Sequence, residues 1–192
     1  MLTLFFAPGA SSMAAHIALH EAGAVFEARP LSFSRRENRS PAYLALNPAG
    51  KVPTLLIDGR PLTEVAAILF YLARRFPDAG LLPEGAEAQA HALSWMSFAA
   101  STLHSARRQG MDHAIHAWAA AEARMAGQGW VLGRYSVADI HLFRLFWRFK
   151  ASLQPGRDAF QRLAAHHDRM LARPAVRRTI NVEAEIGYEL PA

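Results

Sequence analysis

The sequence predicts an α/β half followed by an all-α half. Strand-like and helix-like apolar patterns alternate up to residue 77, whereas only helical spacing follows residue 86. Between them lies "DAGLLPEGA" at 78–86, whose glycines and prolines indicate a linker. We therefore expect one domain over 1–77, a linker over 78–86 and a helical domain over 87–192.

The α/β half begins with a β-α-β unit. "LTLFF" at 2–6 predicts a buried strand, and the apolar spacing from Ser12 predicts a helix that ends near Gly23. "VFEARPL" at 25–31 alternates as a second strand does.

A β-β-α unit follows a polar, arginine-rich connection at 34–40. "TLLID" and "RPLTE" flank Asp58-Gly59, a pair that is typical of a hairpin turn. "EVAAILFYLARRF" at 64–76 then has helical spacing and ends before Pro77.

The second half has helical patterns only. They cover 87–109, 112–127, 137–152 and 158–179, and the form of the tail from residue 180 stays open. "SVAD" at 136–139 places a serine three residues before an acid, which predicts a structural capping box at a helix start.

The composition, 52% hydrophobic and 19% charged residues, is typical of a globular protein. No basic segment of the kind that opens a signal peptide is present, and the longest apolar run, "VAAILFYLA" at 65–73, is too short for a membrane span. The net charge of +5 comes from scattered basic pairs without a stripe of aromatics between them. We expect a cytoplasmic protein without a nucleic-acid or membrane partner.

Thiol or metal chemistry from the side chains is not expected. The chain contains no cysteine, so any thiol must come from a ligand. The pairs His16 with His20 and His113 with His116 have helical spacing but no evident third ligand, so we expect no metal site.

Ser11 and Ser12 stand where the first strand turns into the first helix. A serine there is a good N-cap for the unpaired backbone N–H groups. The same position suits a hydrogen-bond donor to a bound anion, because the helix dipole favours negative charge at its N-terminus. The residues alone leave both roles open.

Five motifs in this order resemble the cytosolic glutathione transferases, most closely their bacterial beta class. The motifs are "PGASSMAAHIALHEAG", "NPAGKVPTLLIDG", "LTEVAAILFYLA", "WVLGRYSVADIHLF" and "RMLARPAVRRTI", which together extend over nearly the whole chain. The resemblance implies a thioredoxin-like domain that binds glutathione, a helical domain beside a cleft for a hydrophobic electrophile, and a homodimer.

The resemblance also implies roles at the sulfur. Ser11 stands where the beta class usually carries a cysteine, and Ser12 corresponds to the serine that follows it in many relatives. Phe6 replaces a frequent tyrosine, which leaves Ser11 and His104 as candidate donors to the glutathione thiolate. For His104 the alternative is a histidine without a ligand.

Further glutathione contacts are implied by two other motifs. Val52-Pro53 matches a valine followed by a cis-proline, where the Val52 backbone pairs with the peptide-like middle of glutathione and Lys51 contacts its glycine carboxylate. Glu64 would bind the α-amino group and the N–H of Val65 the α-carboxylate, although relatives often carry serine at the second position.

One length difference bears on activity. The segment between His104 and Trp130 is shorter than the resemblance implies by about a dozen residues, or roughly three helical turns. We expect a smaller or more open electrophile pocket and an altered dimer contact. The leading hypothesis is a transferase acting on a small hydrophobic electrophile; the alternative is a non-catalytic glutathione-binding or interaction module.

Overall fold

The chain is described by a computed structural model that covers residues 1–125, 129–153 and 159–189. Two compact units are present: Met1–Ala79 together with the chain from Pro174 onward, and Gly80–Arg173. This differs from the predicted domains, because the end of the chain packs with the first unit rather than with the helical one.

The first unit is built on a four-stranded mixed sheet in the order β2-β1-β3-β4. Its strands are β1 Leu2–Phe6, β2 Phe26–Pro30, β3 Thr54–Ile57 and β4 Arg60–Thr63. β1 runs parallel to β2 and antiparallel to β3, and β3 and β4 form the predicted hairpin around Asp58 and Gly59. The predicted α/β half is therefore confirmed.

The helices of the described residues follow the predicted order. They are α1 Met13–Glu21, α2 Pro41–Leu44, α3 Val65–Arg75, α4 Ala86–Phe98, α5 His104–Ala106, α6 Met111–Arg124, α7 Val137–Leu153, α8 Gln161–Leu171 and α9 Pro174–Ile186. Short 3-10 turns lie at Glu37–Arg39, Pro77–Ala79 and Arg107–Gln109, and a π-helical turn spans Ala99–Leu103.

α1 is the central helix of the first unit. Met13–Leu19 are all buried, and the helix packs against α3 and α9 as well as against the sheet. A helix buried on every side carries mainly apolar or small residues, and "MAAHIAL" supplies them at every position except His16.

The predicted helix over 158–179 is two helices in the structure. The chain breaks at Pro174, which lacks the N–H that a continuing helix would need. α9 then extends beyond the predicted limit to Ile186, where Gly187 with φ +98° ends it.

The second unit is wholly helical in its described part. Its core includes Trp95, Trp118, Phe146 and Phe149 from three helices. The predicted linker is anchored to this unit, because Leu81 is buried and its carbonyl accepts a 2.8 Å hydrogen bond from the N–H of Val137.

Two predicted helices of this unit have different bounds in the structure. The π-helical turn interrupts the predicted 87–109 helix, and Gly110 with φ +105° separates it from α6. The end of the predicted 112–127 helix, residues 126 and 127, lies outside the described residues.

No helix in the described ranges combines the length and the apolar character that a membrane crossing requires.

Candidate functional site

The turn between β1 and α1 meets the segment that precedes β3. The Ser11 hydroxyl donates a 2.9 Å hydrogen bond to the backbone carbonyl of Val52, the residue before Pro53. The Val52-Pro53 peptide bond is cis, as the resemblance implied. Three of the predicted site residues are thus brought together.

Ser12 departs from both of its predicted roles. Its side chain is fully buried, where its hydroxyl donates to the carbonyl of Ala7 at 3.2 Å and accepts from the Ala7 N–H at 3.1 Å. It makes no side-chain cap on α1, and its hydroxyl instead bonds to the backbone of Ala7 within the same turn. Ser12 therefore closes the loop that carries Ser11.

A buried polar network fixes the chain just before the cis bond. The Lys51 carbonyl accepts from the Tyr43 hydroxyl at 2.5 Å and from the Asn47 amide at 2.8 Å, while the Lys51 side chain is exposed. Burial raises the pKa of Tyr43, so the phenol remains a donor. Our sequence reasoning missed Tyr43 and Asn47, although Asn47 begins the quoted "NPAGKVP" motif.

Glu64 and Val65 form the start of α3. Glu64 is exposed and has φ +69° and ψ 123°, a conformation that non-glycine residues adopt only under constraint. Val65 is half-buried, and the first turn of α3 leaves backbone N–H groups without helical partners. These groups offer a site for a carboxylate beside an exposed acid that can bind an amine.

A buried acid on α9 accepts a hydrogen bond from the loop that carries Ser11. Glu183 is fully buried, and its carboxylate accepts from the Gly9 N–H at 2.7 Å and lies 2.9 Å from Nδ1 of the buried His16. The aromatic ring of Phe6 packs 4.9 Å from the His16 ring. The sequence carries no local signal for this network, because residue 183 lies in the tail whose form we left open.

His20, the second histidine of the His16 and His20 pair, also contacts α9. His20 Nδ1 lies 2.9 Å from the Thr179 hydroxyl, and burial together with the neighbouring His16 lowers the pKa of His20 to about 4. Within the described residues, no group of three or more histidine or acidic side chains is arranged to hold a metal ion.

His104 belongs to the second compact unit and begins α5, directly after the π-helical turn. Single π turns inside helices occur often at functional sites. His141, in the same unit, is buried. Its burial, together with the charges of Arg144 and His104, lowers the pKa of His141 to about 3. The role of His104 at the sulfur stays a prediction.

Comparison with known proteins identifies two matching family models. "Glutathione S-transferase, N-terminal domain" matches residues 1–74, and "Glutathione S-transferase, C-terminal domain" matches residues 109–174.

Individual relatives match over most of their length. The chain is 30% identical to glutathione S-transferase GstA of Escherichia coli O157:H7, over 95% of this chain and 98% of the relative. It is 32% identical to maleylacetoacetate isomerase of Pseudomonas aeruginosa, over 88% and 90% of the two chains. A sphingomonad glutathione S-transferase solved in complex with glutathione superposes with a TM-score of 0.82 at 36% identity, over 95% and 98%.

Proposed function

Because the chain belongs to the glutathione S-transferase family, whose similar members include named transferases and an isomerase, we propose that it is an enzyme that joins glutathione to a small hydrophobic electrophile. The proposal places it in the beta class, with Ser11 in place of the class cysteine. It further includes a cytoplasmic location and a homodimer.

One observation carries the proposal: the hydrogen bond from the Ser11 hydroxyl to the Val52 carbonyl beside Pro53. It sets a hydroxyl donor at the N-terminal end of α1 next to a backbone edge that can pair with a peptide. When glutathione binds, its cysteine N–H donates a hydrogen bond to the Val52 carbonyl. The Ser11 hydroxyl then rotates and donates to the glutathione sulfur. One internal bond is thereby exchanged for two bonds to the ligand.

The remaining glutathione contacts follow from groups that are accessible in the first unit. The exposed Lys51 ammonium binds the glycine carboxylate. The exposed Glu64 carboxylate binds the α-amino group, and the N–H of Val65 at the start of α3 binds the α-carboxylate. Ser12 is left out of this contact set because its hydroxyl is fully buried.

The chemical step is attack by sulfur on an electrophilic carbon. A thiol with a pKa of about 8.5 is mostly protonated at neutral pH, so the site must favour the anion. The Ser11 hydroxyl and the helix dipole of α1 do this, with His104 as a second donor, and the thiol proton passes to solvent. The thiolate electron pair forms the C–S bond while the leaving group departs with its own bonding pair.

The test is calorimetric titration of glutathione into the wild type and Ser11→Ala, combined with an ultraviolet difference spectrum of the bound thiolate. We expect both proteins to bind glutathione and only the wild type to show the thiolate band near neutral pH. We also expect kcat/KM toward a model aryl halide to fall by about 100-fold in the variant, because a preorganised donor to an anion is lost.

The exposed Ser97 supplies the control, since Ser97→Ala removes the same hydroxyl far from the turn in sequence. A thiolate band that survives in Ser11→Ala would transfer the donor role to His104, to be checked with His104→Ala. Glutathione binding by the wild type with no thiolate band and no turnover would favour the non-catalytic binding module.

A second candidate activity is isomerisation, which the similarity to maleylacetoacetate isomerase supports. A thiolate that adds to an activated double bond and leaves after rotation returns the geometric isomer without consuming glutathione. Assays with maleylacetoacetate and an aryl halide separate the two activities, because only conjugation depletes free thiol.

A further inference from the structure

The residues that follow α9 also make hydrogen bonds within the first unit. Gly187 turns it back, and the Tyr188 hydroxyl donates to the Ile180 carbonyl at 3.2 Å. Glu189 then reaches the loop that follows β2. We call Gly187–Glu189, held on Ser32 and Ser34, the C-terminal latch.

Ser32 and Ser34 supply neutral hydrogen-bond donors to the Glu189 carboxylate. The Ser32 hydroxyl lies 2.9 Å and 3.0 Å from its two oxygens, and the backbone N–H and the hydroxyl of Ser34 each donate at 2.9 Å. The Ser34 N–H and the Ser32 hydroxyl, with the Phe33 N–H, lower the pKa of Glu189 to about 2. The carboxylate is therefore charged at neutral pH, the form in which such hydrogen bonds are strongest.

The same loop contacts the glutathione side of the unit. Leu31 and Phe33, which alternate with the two serines, pack against a buried cluster of Ala7, Ala10, Tyr43 and Val52. The Leu31 N–H also donates to the Phe6 carbonyl at 2.7 Å. One face of the loop thus packs against the cluster that contains Val52, and the serines on the other face bond to Glu189.

We propose that Glu189 is a positioning residue for the glutathione site, acting through the 31–34 loop on the backbone of Val52. This inference rests on the proposed function, since it assigns Glu189 an effect on glutathione binding. Glu189 does not touch glutathione; it fixes the loop whose apolar side chains hold the peptide edge in register. Without the carboxylate, the Ser34 N–H and hydroxyl lose their acceptor, and ordering this part of the loop adds to the free-energy cost of binding the ligand.

A second acid limits the size of the effect. Glu37 accepts from the Ser32 N–H at 2.7 Å, so the start of the loop stays anchored when Glu189 is removed. We therefore expect loss of the latch to weaken glutathione binding roughly three- to tenfold, the range of about one net hydrogen bond.

The experiment compares full-length wild type with Glu189→Ala, Ser34→Ala and the double variant. The matched control is Glu185→Gln, which changes an exposed acid on the adjoining end of α9. Two quantities are measured: hydrogen exchange of the peptide that covers residues 31–36 in the absence of glutathione, and the dissociation constant for glutathione by calorimetry.

We expect Glu189→Ala to speed exchange in this peptide and to raise the glutathione dissociation constant, while Glu185→Gln changes neither. The double variant should be no weaker than the worse single variant, because both substitutions break one interaction. Unchanged exchange, or faster exchange with unchanged glutathione affinity, would overturn the proposal.

A wild type that does not bind glutathione would refute the proposed function and the positioning role together. The exchange measurement needs no glutathione, so it would still decide whether the latch orders the loop. The two failures are thereby distinguishable.

Discussion

Adjacent serines have different environments at the first helix start. The hydroxyl of the half-buried Ser11 donates a hydrogen bond to the Val52 carbonyl across the turn, and this bond can be exchanged for one to a ligand. The fully buried Ser12 satisfies both backbone groups of Ala7 and has nothing left to offer a ligand. Exposure and the number of internal partners, rather than residue type, separate the candidate catalytic residue from the structural one.

We predict that Ser12→Ala lowers the free energy of unfolding by about 1–3 kcal/mol, because the buried Ala7 N–H loses its acceptor, while the Ala7 carbonyl keeps only the N–H of Ala10. Ser11→Ala should lower it by less than about 1 kcal/mol, since its site stays open to water. Urea unfolding of both variants checks this, and equal losses would contradict the division of roles.

The helix α9 connects the end of the described chain to the loop before α1. It contacts α1 and sends Glu183 into the interior, where one carboxylate bonds the Gly9 N–H and faces His16. The loop that carries Ser11 is thus tied to a helix far along the chain. By contrast, the start of α7 is stabilised by residues that are close in sequence. The Asp139 carboxylate accepts from the Ser136 N–H at 2.9 Å, which confirms the predicted capping box.

We predict that Glu183→Ala destabilises the protein by about 1–3 kcal/mol for each buried group that loses the carboxylate, which are the Gly9 N–H and the His16 ring. Glu185→Ala, an exposed change two residues along the same helix, should cost less than about 0.5 kcal/mol. Chemical unfolding gives both values. A loss for Glu183→Ala that does not exceed the Glu185→Ala loss would show that the network contributes no stability.

Across the whole molecule, buried histidines predict sensitivity to acid. Burial lowers the pKa of His141 to about 3, of His20 to about 4, and also lowers that of His167. A histidine with a folded pKa below 6.5 is protonated between the two values only in the unfolded chain. Above about pH 6.5 such a histidine therefore does not lower the free energy of unfolding. Below that pH the free energy of unfolding decreases as the pH falls.

We predict that the free energy of unfolding decreases between about pH 6.5 and 4, with His141 contributing up to ~1.4 kcal/mol per pH unit. His141→Phe keeps an aromatic ring but removes the titratable group, so it should flatten this slope, whereas a change at the exposed His113, such as His113→Asn, should not. Urea titrations across this pH range provide the test. An unaltered slope in His141→Phe would mean that other groups cause the acid sensitivity.

Local features were predictable because their determinants lie within a few residues. An apolar run predicted β1 and alternation predicted β2. Asp58-Gly59 predicted the hairpin of β3 and β4, and "SVAD" predicted the start of α7. The resemblance supplied the cis bond at Val52-Pro53, for which the residues alone favour trans.

The contacts that complete the site could not be predicted in this way. Gly9 and Glu183 are separated by 174 positions, and Ser32 and Glu189 by 157. Which acid meets which N–H depends on how α9 packs on α1, and no local pattern encodes that choice. The sequence by itself therefore determined the α/β and all-α halves and the position of Ser11, because periodicity and turn chemistry act over short distances. Only the tertiary structure decided that Ser12 is buried, that α9 belongs to the first unit and that Glu183 and Glu189 bond to Gly9 and Ser32, because long-range packing selects such partners.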